Sequence, residues 1–246
     1  MSIVFDSEQY PFIDIREQSL YENNRIYVYR ILKDNILKLK LEPGEKISEV
    51  KIKNVFKVSR SPIREAIVRL ADESLIDVFP QKGTYVSLLD QKIIENSLFM
   101  RLAIEKEIMK TVCSKGFNTN ELINNLENIF SEQEKISNND MKQEEIKLFF
   151  NLNEQFHRII YKYVDKEIIF EKTRTFDNHY SRFHLLESLA KTNVDFAIEQ
   201  HRKTINAIKN KNYKMICKVE ENLLDNYRVK LKTVYNLYPN YFKYKI

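Results

Sequence analysis

The apolar positions in the first ninety residues predict three short helices followed by a β-hairpin. Apolar residues recur at helical spacing from Asn24 to Leu37, and a second short helix is predicted from Ser48 to Phe56. A third helix follows, and its apolar residues fall at positions i, i+3, i+4 and i+7, which gives it one apolar face. These residues are Ile63, Ala66, Ile67 and Leu70.

The hairpin is predicted from the residues that follow the third helix. Leu75 to Phe79 form one strand, Tyr85 to Leu88 form the other, and QKGT lies at the tip. Gly83 permits a positive φ or a close approach of the backbone, and Lys82 can contact a phosphate. Three helices followed by such a hairpin are the arrangement of a winged helix-turn-helix.

The third helix has the features of a recognition helix. Ser59 or Ser61 can cap its first turn, and Pro62 fits there because its missing N–H costs nothing. Arg60 and Arg64 lie off the apolar face near the N-terminal end, which is the part of a recognition helix that reads bases. Arginine suits this place because its guanidinium can bond guanine O6 and N7 together. The alternative is an ordinary amphipathic helix with solvated arginines.

The rest of the chain has only helical periodicity and predicts a mainly α protein. The breaks between helices are short, and the expected second domain is a six- or seven-helix antiparallel bundle. The predicted helices are Gln91 to Ser114, Asn118 to Asn138, Gln143 to Val164, Ile168 to Ala190, Val194 to Lys209, and Tyr213 to Tyr235. The sequence therefore predicts an N-terminal arm at 1–18, a winged helix-turn-helix at 19–88, and a helical domain for effector binding and dimerisation at 89–240.

Charge supports a DNA-binding role for the first domain. The 246-residue chain carries a net charge of +5, and a local excess of the same size lies between Lys46 and Arg64. Such a concentrated basic stretch is typical of phosphate binding. It contains one acid, Glu49, and six basic residues: Lys46, Lys51, Lys53, Lys57, Arg60 and Arg64.

Several classes of protein are disfavoured. No apolar run approaches the roughly 20 residues that span a bilayer, and the N-terminus lacks a signal-peptide pattern. Cys113 and Cys217 lie far apart and form no CxxC pair, which favours buried thiols in a cytoplasmic protein. There is also no HExxH motif, nucleophile motif or phosphate loop, so an enzyme is not expected.

The stretch LEPGEKISEVKIKNVFKVSRSPIREAIVRLADESLIDVFPQKGTYV resembles the N-terminal domain of the GntR family of bacterial transcription regulators. It departs from the family pattern at Lys53, where alanine is usual, and at Lys57 and Ser74, where glycine is usual. The resemblance implies that the recognition helix and the wing contact double-stranded operator DNA. The residues implied are Lys46, Glu49, Lys51, Ser59, Arg60, Ser61, Pro62, Arg64, Lys82 and Gly83.

The helical part resembles the FCD ligand-binding domain of the FadR-like branch of that family. Three stretches carry the resemblance: FMRLAIEKEI, FNLNEQFHRII and EQHRKTINAIKNKN. FCD domains commonly bind a divalent metal through an Asp or Asn and three histidines, and the metal then holds a carboxylate effector. Here Asn153, His157 and His201 match, which implies zinc, nickel or manganese. The last histidine is missing near Asn222 or Leu223.

Other residues leave the ligand chemistry open. His179 and His184 could replace the missing donor, but their i, i+5 spacing suits a single metal poorly. His157 and His201 could instead bond a ligand directly. Arg101, with Arg182 as a second candidate, could supply the charge for a carboxylate effector. Alternatively, Arg101 pairs with Glu105 one turn on.

The function predicted from these resemblances is a homodimeric repressor that binds a near-palindromic operator and responds to a small carboxylate. Two heads related by a two-fold axis read two half-sites. Two alternatives remain open: a ligand-independent DNA-binding protein with a degenerate pocket, and a regulator that responds to a fatty acyl thioester.

Overall fold

The computed structural model describes residues 14–137, 141–190 and 194–245. Most of the predicted arm, residues 1–13, lies outside the described residues. Contacts divide the chain into two units, Met1–Gln91 with Tyr238–Lys245, and Lys92–Leu237. The domain bounds expected from the sequence remain a prediction. Among the described residues, no helix is both long enough and apolar enough to cross a bilayer.

The first unit is a winged helix-turn-helix, as the sequence predicts. A three-stranded antiparallel sheet in the order β1-β3-β2 forms the wing, and its outer pair places Phe79 opposite Gly83. The two-residue strand β1 is not predicted from the sequence, because so short a strand has no periodicity. The elements are α1 (Asn24–Leu37), β1 (Lys46–Ile47), α2 (Glu49–Phe56), α3 (Arg60–Asp72), β2 (Ile76–Phe79) and β3 (Gly83–Val86).

The core of this unit fixes the orientation of α3. The four residues of the predicted apolar face of α3 are all buried, and α3 packs against α1. Burial of such side chains contributes about 1.5–3 kcal/mol each, so rotation of α3 about its axis would be costly. The opposite face, which carries Arg60 and Arg64, is left exposed to solvent.

The first turn of α3 differs in detail from the expected capping. Ser59 is the N-cap residue, but its side chain makes no capping hydrogen bond. The Ser61 hydroxyl instead donates to Glu65 Oε1 at 3.2 Å. The hydroxyl of Ser48 does cap α2, where it accepts from the Lys51 N–H at 3.4 Å.

Two residues that replace the usual family glycines adopt left-handed backbone conformations. Lys57 has φ 51° and ends α2, and Ser74 has φ 56° just after α3. This conformation costs an L-residue roughly 1–2 kcal/mol, because Cβ comes too close to the carbonyl oxygen. The backbone therefore retains the shape that glycine would favour at both positions.

Lys57→Gly is expected to raise the free energy of unfolding by about 0.5–1 kcal/mol. Glycine removes the left-handed strain from the folded state, which is about 1–2 kcal/mol. This gain exceeds the loss of roughly 0.4–1 kcal/mol that arises because glycine raises the conformational entropy of the unfolded chain. Hydrogen exchange of the most protected amides of α1 and α3 measures the change for the first unit in the full chain. Lys53→Gly is the matched control, because this exposed lysine lies inside α2 and its replacement should cost up to about 1 kcal/mol. Equal effects at both positions would contradict the argument.

The second unit contains seven helices within its described residues, which agrees with the predicted six- or seven-helix bundle. Their side chains form apolar clusters, the largest between α4, α5, α6, α7, α9 and α10. The helices are α4 (Gln91–Val112), α5 (Asn120–Ile136), α6 (Gln143–Tyr163), α7 (Glu167–Phe176), α8 (Asn178–Leu189), α9 (Val194–Lys209) and α10 (Tyr213–Leu237).

The prediction of one helix from Ile168 to Ala190 was wrong. The segment forms α7 and α8, with a break at Asp177. The Ser97 hydroxyl donates to the Phe176 carbonyl at 2.8 Å, and Arg174 pairs with the buried Asp177 at 3.5 Å. The tertiary contact from Ser97, together with the local Arg174–Asp177 pair, holds the break where the sequence has neither glycine nor proline.

The last described segment, Tyr238–Lys245, belongs to the first unit. After a 3-10 turn at Pro239–Tyr241, Phe242 forms a parallel bridge with Leu89. The Leu89 N–H donates to the Tyr241 carbonyl at 2.8 Å, and the Lys243 N–H donates to the Leu89 carbonyl at 3.0 Å. Phe242 is only 6% exposed, so the segment is a packed part of this unit.

Candidate DNA-binding face and ligand pocket

The N-terminal end of α3 presents the two predicted base-reading arginines. Arg60, Ser61 and Arg64 are exposed. Arg64 Nε lies 3.3 Å from Glu49 Oε2 on α2. Glu49, which was itself predicted to lie near DNA, therefore positions the Arg64 side chain. An exposed ion pair of this kind contributes at most about 1 kcal/mol. Releasing Arg64 to a base would therefore cost little.

The wing places a second group of predicted residues together. Gly83 has φ 121°, and a Cβ at this position would lie 3.1 Å from Lys46 Cε. Lys46 on β1 is paired with Tyr85 on β3, and Lys82 is exposed at the hairpin tip. Gly83 is therefore favoured by its positive φ, whereas the flexible end of Lys46 could move aside for a Cβ. Lys46 adds a second cation to the wing.

A pocket in the second unit brings together four of the five predicted effector residues. Arg101, Asn153, His157 and His201 line it, from α4, α6 and α9. Arg182 is fully buried and is not among the described residues that line this pocket. Its Nε bonds the Asn178 carbonyl within α8 at 3.4 Å.

Arg101 makes the ion pair that the sequence left as an alternative. Its Nε donates to Glu105 Oε1 at 2.8 Å, and both residues are buried. Burial alone would lower the pKa of Arg101, but Glu105 and other nearby acids outweigh it and hold the pKa well above the usual value. The ion pair uses Nε, so the terminal nitrogens remain the donors with which Arg101 could hold a ligand.

Two of the three histidines that line the pocket, His157 and His201, are neutral at pH 7. Burial is the main cause that lowers the pKa of each ring well below its usual value. Repulsion from Arg101 adds to this effect at His157, and repulsion from His157 adds to it at His201. His201 Nδ1 lies 2.8 Å from Gln133 Oε1. Because that oxygen only accepts, Nδ1 carries the proton and Nε2 keeps a lone pair. The ring also stacks on Phe156 at 3.8 Å between centroids, which fixes its orientation.

Three further polar groups of the pocket were not identified from the sequence. Gln200 Oε1, Glu220 Oε2 and the Tyr227 hydroxyl are buried and have no hydrogen-bond partner among the described residues. All three residues line the pocket. Burial, followed by repulsion from Glu105, raises the pKa of Glu220 well above its usual value. An acid among the apolar positions of α10 is the signal that could have identified Glu220.

Comparison with known families identifies the chain. Residues 26–86 match the bacterial regulatory proteins of the gntR family, and residues 96–225 match the FCD domain, which is more than half of the chain. The chain belongs to the GntR family and carries an FCD domain. Both resemblances inferred from the sequence are therefore confirmed.

The relatives of this GntR-family chain include named regulators. It is 30% identical over 146 residues to the HTH-type transcriptional repressor RspR of Escherichia coli K12, covering 58% of this chain and 60% of that protein. It is 28% identical over 187 residues to an HTH-type transcriptional regulator of Streptomyces ambofaciens, covering 75% of each. A regulator structure from Rhodococcus sp. RHA1 shares the fold, with a TM-score of 0.62 at 18% identity over 85% of this chain and 96% of that one.

Histidine, cysteine and acidic side chains alone do not supply a metal-ligand set in the described part of this FCD domain. Among the described residues, no group of three or more His, Cys, Asp and Glu side chains could hold a metal ion. Leu223 lines the pocket near the place expected for the last histidine. The Asn153 amide lies 3.3 Å from His184 Nε2, and His184 Nδ1 lies 3.2 Å from Glu187 Oε2. His184 is therefore already engaged on both sides of its ring.

Proposed function

We propose that this chain is a DNA-binding transcriptional regulator whose helical domain binds a small molecule. The observation that carries the proposal is the exposed pair Arg60 and Arg64 at the N-terminal end of α3, beside a wing with Lys46 and Lys82. Two planar guanidiniums at this place suit major-groove guanines. The wing lysines suit phosphates, which position a protein without reading sequence.

The chain is proposed to act as a homodimeric repressor in the cytoplasm, where its DNA target is found. A two-fold dimer would read a near-palindromic operator. Exposed apolar side chains, including Phe99 on α4 and Val229 on α10, are available for contacts between copies. Repression is supported by the name of the related RspR protein.

The effector is proposed to carry a carboxylate that the terminal nitrogens of Arg101 hold. A guanidinium binds a carboxylate through two parallel hydrogen bonds. The neutral rings of His157 and His201 offer further hydrogen bonds, and Arg101 supplies the positive charge that a zinc, nickel or manganese ion would otherwise provide. The effector controls DNA binding only if it binds the DNA-free and DNA-bound states with different affinities.

The test begins with full-length protein dialysed against EDTA. We expect selection from random DNA to yield a site with two symmetric half-sites, and light scattering to give a dimer. A panel of short carboxylic acids should then contain members that change operator affinity at least about fivefold, the low end of allosteric coupling. Arg101→Met should abolish this change and leave DNA binding without ligand intact.

The controls separate the parts of the proposal. Arg202→Met removes an exposed arginine of α9 that is paired with Glu134 and Glu199, and it should leave the ligand response unchanged. Failure to select any DNA site would refute the regulator. A selected site whose affinity no acid changes would indicate a ligand-independent binder. A stoichiometric metal that survives EDTA and is lost in His157→Ala would refute the metal-free pocket.

A further inference from the structure

The positive charge in the pocket is already compensated. Arg101 is paired with Glu105, and Glu187 is bonded to His184. The neutral histidines add no charge. Glu220 therefore adds a third carboxyl group to a pocket with one described guanidinium. A ligand that brings only a carboxylate would add a fourth acid near these three.

The unpartnered atoms of the pocket can all accept a hydrogen bond. Gln200 Oε1 only accepts, and the Tyr227 hydroxyl can accept or donate. The Glu220 carboxyl becomes an acceptor at both oxygens when a neighbouring cation favours its ionised form. A buried polar atom without a partner costs about 1–3 kcal/mol, and this pocket has three. A ligand group that donates several hydrogen bonds would remove that cost.

The placement of these atoms gives the ligand two ends. Glu220 and Tyr227 are seven residues apart on α10, so they share one face and lie about 10 Å apart along the axis. Gln200 precedes His201 on α9, which faces the same pocket. Glu220 is close enough to Arg101 and Glu105 for their charges to act on it. A carboxylate at Arg101 and a donor group at Glu220 could therefore belong to one small molecule.

We propose that Glu220 forms a subsite for the ammonium group of the effector, and that the effector is an amino-substituted carboxylic acid. This inference rests on the proposed function, because it assigns Arg101 to the carboxylate of the same ligand. An ammonium group donates three hydrogen bonds, and its positive charge beside the unpartnered Glu220 oxygen favours the ionised carboxylate with which it pairs. The apolar lining, which includes Leu98, Leu102 and Leu223, accommodates the carbon chain.

The test compares matched acids that differ in one group. Calorimetry on EDTA-dialysed full-length protein measures the affinity for three series, each with an amino acid, its 2-hydroxy analogue and its unsubstituted analogue. The first series is alanine, lactate and propionate, and the second is norvaline, 2-hydroxyvalerate and valerate. The third is leucine, 2-hydroxy-4-methylpentanoate and 4-methylpentanoate, and both enantiomers are measured where they exist. In at least one series the amino acid should bind about tenfold or more tightly than its hydroxy and unsubstituted partners. Such a ratio corresponds to one hydrogen bond to a charged group.

Variants assign the preference to the subsite. Glu220→Gln should reduce the preference for the amino acid to less than about twofold and change the affinity for the unsubstituted acid by less than about twofold. Glu220→Leu removes the same carboxyl group and should lower the preference equally, and it provides a second test if Glu220→Gln does not fold. Glu221→Gln, at an exposed neighbour on α10, is the matched control and should retain the full preference.

Each contrary result has a distinct meaning. Equal or tighter binding of the hydroxy or unsubstituted acids in every series would overturn the ammonium subsite and leave the proposed regulator intact. The absence of binding by all members up to about 10 mM, or an unchanged preference in Glu220→Gln, would also overturn it. Failure of the proposed function appears separately, as loss of operator binding without ligand.

Discussion

Arg64→Ala is expected to weaken operator binding by about 1–3 kcal/mol for each half-site. The reason is the loss of a bidentate contact between the guanidinium and a guanine. Converted at 1.4 kcal/mol for each factor of ten, the range for each half-site runs from about fivefold to about 150-fold. Fluorescence anisotropy with the selected operator at fixed salt measures the change, and circular dichroism checks the fold. The exposed position of Arg64, outside the buried face of α3, predicts an unchanged fold.

Two control variants distinguish base reading from general charge. Arg228→Ala removes the same charge from an exposed site in the second unit and should leave operator affinity within about twofold. Lys82→Ala at the wing tip should weaken binding to all sequences alike and reduce its salt dependence, as expected for a phosphate contact. Unchanged operator affinity in Arg64→Ala would refute the assignment of α3 as the recognition helix.

Phe242→Ala is expected to destabilise the docked C-terminal segment by about 3 kcal/mol, the low end for a buried phenylalanine. The segment is held by this side chain, by two backbone hydrogen bonds to Leu89, and by a Lys243–Asp90 pair at 3.3 Å. Loss of docking exposes the Leu89 N–H, so its hydrogen exchange should accelerate by about a hundredfold. This local measurement is needed because a chain of two units rarely unfolds in one transition.

Tyr244→Ala is the matched control for the segment. This tyrosine is 58% exposed, and its replacement should change stability by less than about 0.5 kcal/mol. If the amide of Leu89 exchanges at the same rate in wild type and Phe242→Ala, the segment is not held by packing. The helix α10, which lines the pocket, ends at Leu237, one residue before this segment begins.

The winged helix-turn-helix was predictable because its signals are local. The apolar face of α3 and the glycine at the wing each depend on residues only a few positions apart in the chain. The two residues that depart from the usual family glycines also show that local backbone conformation is kept. Lys57 and Ser74 keep the left-handed backbone at positions where glycine is usual, because the strain of one residue is small beside the burial of the helices around it.

Features that depend on distant parts of the chain were missed. The break at Asp177 depends on Ser97, which lies 79 residues before Phe176. Docking of Phe242 depends on Leu89, and neither sequence neighbourhood indicates the other. The ion pair between Arg64 and Glu49 spans 15 residues and was likewise not predicted, although both residues were assigned to the DNA-binding face.

The sequence by itself determined the order of helices and the apolar face of α3 that leaves Arg60 and Arg64 outside it, because helical period and local turn chemistry suffice for these features. The placing of Arg101, His157 and His201 in one pocket was implied by the resemblance to the FCD domain. Only the tertiary structure decided that Arg182 lies outside the pocket lining, that Glu105 neutralises Arg101, and that Glu220 and Tyr227 are left without partners. Whether a buried polar group is satisfied depends on which helices surround it, and that information is spread over the whole chain.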